Sequence, residues 1–67
     1  MSLDPVSQLI AAQANEMVTA SALGTLAAQA LAAGHPYAAA AYATTAHEHT
    51  ARAREISTQI TNTLEGL

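Results

Sequence analysis

At the middle of this 67-residue chain stands Gly34-His35-Pro36, and these three residues decide the architecture. Glycine takes the left-handed conformation that commonly ends a helix. Proline lacks a backbone donor and keeps its predecessor out of the helical region. Comparable signals recur only near the ends, at Asp4-Pro5 and Glu65-Gly66. Asp4 suits a helix N-cap, because its carboxylate accepts from free amides, and Pro5 suits the first helical position. The spacing predicts one helix over about 5–33, a turn at 34–36 and a second helix over about 37–64. So short a connection makes the helices antiparallel neighbours. The expected fold is all-α, a single two-helix hairpin.

Within each leg, small and apolar residues recur at alternating steps of three and four, the spacing of a coiled-coil seam. On the first leg this stripe is Leu3, Val6, Ile10, Gln13, Met17, Ala20, Gly24, Ala27 and Leu31. On the second it is Ala39, Tyr42, Ala46, His49, Ala53, Ile56, Ile60 and Thr63. Folding at the turn sets Ile10 against Ile60, Gln13 against Ile56 and Met17 against Ala53. It also sets Ala20 against His49, Gly24 against Ala46 and Ala27 against Tyr42. Large side chains mostly face small ones, as close packing requires. Glu16 and Arg52 fall on the flanks, where they can bridge the helices.

Alanine fills 18 positions, which favours helix but buries little surface. A chain of this size rarely draws more than about 3–5 kcal/mol from its own core. The chain has no cysteine to add a disulfide. Oligomerisation is the expected supplement, as a four-helix bundle or larger helical assembly. From Met17 to Ala46 there is no Asp, Glu, Lys or Arg. Beside the turn, Leu23, Leu26, Ala30, Tyr37 and Ala41 lie off the predicted seam and form an expected association patch.

Other classes fit poorly. Two arginines, no lysine and a net charge of −3 give no footprint for nucleic acid. The charge-free stretch is split at the turn into legs shorter than the roughly 20 apolar residues a membrane span needs. The first residues lack the basic start of a secretory signal, so the default expectation is cytoplasmic, with signal-independent secretion left open. No nucleophile–base–orienter set is visible, and no cofactor is implied. His47, Glu48 and His49 are the only cluster of metal-ligand types, but alternate residues on a helix point apart, so His47 and His49 share no face. His49 reads instead as a polar layer in the seam.

In outline, two near-equal antiparallel helices resemble the small secreted hairpins that carry Trp-x-Gly at their turn, where this chain has Ala33-Gly34-His35. The Ala/Thr/Gln-rich, charge-poor composition is similar to subunits of self-polymerising bacterial structures. The pattern points to a non-enzymatic, self-associating structural or adaptor subunit. A module binding a different helical protein is the alternative, and a His/Glu metal site in an oligomer a third reading.

Overall fold

The computed structural model describes residues 4–67 and holds two packed helices, α1 (Pro5–Ala32) and α2 (Pro36–Glu65). Leu3 lies outside the described residues. Asp4 caps α1: one carboxylate oxygen accepts from the Ser7 backbone N–H at 2.8 Å and the other from the Ser7 hydroxyl at 2.9 Å. These bonds hold the Asp4 carboxyl below its ordinary range. The cap is therefore fully engaged above the usual carboxylate pKa and is lost only as pH falls through the lowered value.

The turn is a Schellman motif. The His35 N–H donates to the Ala30 carbonyl at 2.8 Å, and the Gly34 N–H donates to Leu31 at 3.1 Å. Two carbonyls left over at the end of α1 are thereby satisfied. The motif requires a left-handed residue, and Gly34 sits there with φ +82°. A Cβ at Gly34 would meet no atom within 4 Å, so the cost of adding one is conformational. Gly34→Ala should destabilise the hairpin by about 1–2 kcal/mol, read as a lower urea midpoint by circular dichroism. An unchanged midpoint would mean the turn does not hold this conformation in solution. Pro36 opens α2 directly, one residue earlier than the spacing suggests.

The seam on α2 runs through Ala39, Ala46, His49, Ala53, Ile56, Ile60 and Thr63, with Tyr42 at its edge. Ala39 and Ala53, 8% and 5% exposed, are the only buried side chains among the described residues. On α1 the half-buried stripe is Val6, Leu9, Gln13, Glu16, Ala20, Leu23, Ala27 and Ala30. It shares Val6, Gln13, Ala20 and Ala27 with the expected stripe. It departs at every alternate position, taking Leu9, Glu16, Leu23 and Ala30 in place of Ile10, Met17, Gly24 and Leu31. Those displaced residues are exposed, Ile10 by 52%, Met17 by 58% and Leu31 by 64%. Gly24 has open space where a Cβ would stand, so its small size is not used inside the hairpin. The change amounts to turning α1 by roughly 50° at 3.6 residues per turn.

Register shifts with it. The Gln13 amide donates to the Ala53 carbonyl at 3.4 Å, where the pattern set Gln13 against Ile56. His49 meets Glu16, where the pattern set it against Ala20. Both partners move about one helical turn in the same sense. The rotation seats Leu9 and Leu23 in the seam and gives His49 a carboxylate instead of methyl groups. A hydrogen bond to a charged group is worth about 1.5–3 kcal/mol, enough to offset the modest apolar advantage of the other stripe.

The hairpin is one layer deep, with extents of 51 × 23 × 11 Å. It exposes 4784 Å², where a compact monomer of its mass would expose about 4,000 Å². Domains ordinarily close around two packed layers. Here each helix is packed on one side only.

Candidate functional site

The polar layer lies within the half of the hairpin away from the turn. His49 Nδ1 stands 2.6 Å from Glu16 Oε2. A carboxylate oxygen only accepts, so Nδ1 carries the proton and donates. Both side chains are largely shielded, at 21% and 24% exposure. Arg52 lies farther out, its Nη1 4.0 Å from the same oxygen. Glu16 therefore leaves the flank expected for it and becomes the acceptor at the centre of the seam. His49 is committed through one ring nitrogen, while His47 and Glu48 are exposed elsewhere on α2. Among the described residues, no three His, Asp or Glu side chains come together to hold a metal ion.

The two broad faces differ. One carries a groove of about 500 Å³ between the helices. Gln13, Ala20 and Ala53 form its floor, with Met17 and Ser21 on one wall and Thr50, Arg54 and Ser57 on the other. Met17 belongs to the displaced stripe, so Ile10, Gly24 and Leu31, one or two heptads away, lie along the same side. Across the groove, Leu64 follows Thr50 and Ser57 at the same spacing and is 52% exposed. Arg54 and, at the end of α2, Glu65 are the formal charges on this face, Glu65 lying about five helical turns after His47.

The opposite face carries Arg52 beside Glu16. Glu48 and Glu55 stand four residues before and three after Arg52, and so share its side of α2. Gln8, Asn15 and Gln29 belong to the same side of α1. One face is thus apolar and nearly uncharged, and the other polar and acidic.

The patch expected beside the turn does not form one surface. Leu23 and Ala30 are half-buried in the seam. Leu26 is 41% exposed on the acidic side, with Ala41 beside it on α2, and Tyr37 is 91% exposed at the outer edge of α2. Substituting Leu23 would therefore damage the hairpin itself. In the sequence this apolar face is masked, because its residues also fit a seam stripe at three-four spacing. The signal that separates the two stripes is the pairing of Glu16 with His49.

The groove offers no evident chemistry. It holds hydroxyls at Ser21, Thr50 and Ser57, but its only titratable side chain is Arg54. No base stands there to activate a nucleophile. The Thr50 hydroxyl already donates to the Ala46 carbonyl at 3.0 Å. Among the described residues, no helix is long and apolar enough to cross a membrane. No known protein family, curated protein or solved structure matches the chain.

Proposed function

We infer that this chain is a non-enzymatic structural or adaptor subunit that acts by self-association through its groove-bearing face. The observation that carries this reading is the exposure of Ile10, Met17, Leu31 and Leu64 on one side of a single-layer hairpin. Fully burying a side chain of this kind is worth about 1.5–3 kcal/mol. Each is already about half covered, so the four together add roughly 3–7 kcal/mol, comparable with the ~3–5 kcal/mol that so small a core supplies alone. The acidic face is suited to water, and its charges repel a second copy. The groove face carries Arg54 and Glu65, of opposite sign, and so has no net charge to repel a second copy.

The test is sedimentation equilibrium at micromolar concentration. The unaltered chain should sediment above monomer mass. Met17→Glu should fall to the monomer while keeping its helical circular dichroism, because Met17 lies outside the seam. Replacing a buried apolar contact by an unpaired charge should weaken association by about 3–5 kcal/mol. A helical monomer in both samples would refute self-association and favour a face reserved for a different helical protein.

A further inference from the structure

We propose that two copies stack groove face on groove face with their turns at opposite ends, α1 on α1 and α2 on α2, related by a twofold axis. This rests on the self-association reading and adds the geometry. The axis passes between Met17 and Gly24 on α1 and beside His47 on α2.

The apolar stripe of α1 is complementary to its own reverse. Run antiparallel against a second copy, Ile10 lies on Leu31 and Met17 lies on Gly24. The longest side chain of the stripe then meets its one residue without a side chain. Gly24 is exposed, with open space where a Cβ would stand, so within one hairpin this notch is unfilled. Under the same operation on α2, Ala43 lies on Thr50, Ala40 on Arg54 and His47 on itself.

The hairpin register carries the α1 centre across to α2. Glu16 reaches His49 and Arg52, and Gln13 reaches Ala53. The midpoint of Met17 and Gly24 therefore stands beside residues 45–47 of α2, at roughly 1.5 Å per residue along each axis. One axis can serve both helices. The two Arg54 side chains end up roughly 20 Å apart along the stack at that rise, beyond the ~8 Å screening length.

The area suffices. The hairpin outline of 51 by 23 Å offers on the order of 1,000 Å² per copy, against about 800 Å² per partner in a standard stable interface. Placing the turns at the same end would instead set Ile10 over Ser57 and Met17 over Thr50, apolar side chains on hydroxyls.

The chain has no cysteine, so a single introduced thiol reports its own neighbour. Ser21→Cys and His47→Cys change exposed positions beside the axis, and Glu48→Cys places a thiol on the acidic face. Treated with a short bis-maleimide, Ser21→Cys alone and His47→Cys alone should each cross-link to a dimer. Held close, such thiols reach millimolar effective concentration, so both should react at least about tenfold faster than Glu48→Cys. Cross-linking only in a mixture of Ser21→Cys and His47→Cys would overturn the proposal in favour of turns at the same end. Preferential cross-linking of Glu48→Cys would overturn the choice of face. In both cases a dimeric mass would leave self-association standing, whereas a monomeric mass refutes both together.

Discussion

Replacing Ala53 with Glu unfolds most of the chain. Ala53 is 5% exposed and its carbonyl receives the Gln13 amide at 3.4 Å, so it lies inside the contact between the helices. A carboxylate placed there has no cation within the seam. Leaving a buried charge unpaired costs about 3–5 kcal/mol. The whole hairpin has a similar amount to lose, about 3–5 kcal/mol for a core of this size. The same substitution two residues earlier, Ala51→Glu, falls on an exposed position and should stay within about 0.5 kcal/mol of the unaltered chain. Far-UV circular dichroism in urea separates the pair: a clear transition for Ala51→Glu, and little helix to melt for Ala53→Glu. Equal midpoints would show that Ala53 is not buried between the helices in solution.

The second large effect belongs to the Glu16–His49 pair. His49→Leu removes the donor 2.6 Å from a carboxylate that is only 24% exposed. Arg52, at 4.0 Å and 55% exposed, compensates little. The loss should be about 1.5–3 kcal/mol, the worth of a hydrogen bond to a charged group. Converting both residues, Glu16→Leu with His49→Leu, should recover most of that loss, because an apolar pair leaves no group unsatisfied. The measured quantity is the coupling energy of the double-mutant cycle. Additive effects of the two single changes would mean the side chains do not meet in solution.

How legible was this molecule in its sequence? The two helices and their turn were, because Asp4-Pro5 and Gly34-His35-Pro36 act through backbone geometry that needs no tertiary context. The inner face of α2 was also readable. Ala39, Ala46, Ala53, Ile56 and Ile60 form one stripe with polar residues on either side of its outer half, so little competes with it. On α1 two stripes compete. They share Val6, Gln13, Ala20 and Ala27, and each adds large apolar residues, Leu9 and Leu23 in one and Ile10, Met17 and Leu31 in the other. Apolarity alone favours the second. The contact that selects the first is polar and spans 33 residues of sequence, from Glu16 to His49. Periodicity within one helix cannot register it. The exterior differs from the expected one for the same reason: Ile10, Met17, Gly24 and Leu31 face outward, whereas Leu23 and Ala30 turn into the seam.

The threonines change what this exterior offers to water. Seven of them, Thr19, Thr25, Thr45, Thr50, Thr58, Thr61 and Thr63, donate their hydroxyls to a carbonyl four residues back on their own helix. A hydroxyl so engaged has spent its donor on the chain that carries it. What it still asks of solvent is reduced to acceptance, and the neighbouring γ-methyl becomes the larger part of what a contacting surface meets. A mean hydropathy of +0.18 counts each threonine as an ordinary polar side chain. The helices are accordingly less hydrated than their letters suggest, and covering them strips away less water-bound polarity than the count of hydroxyls implies.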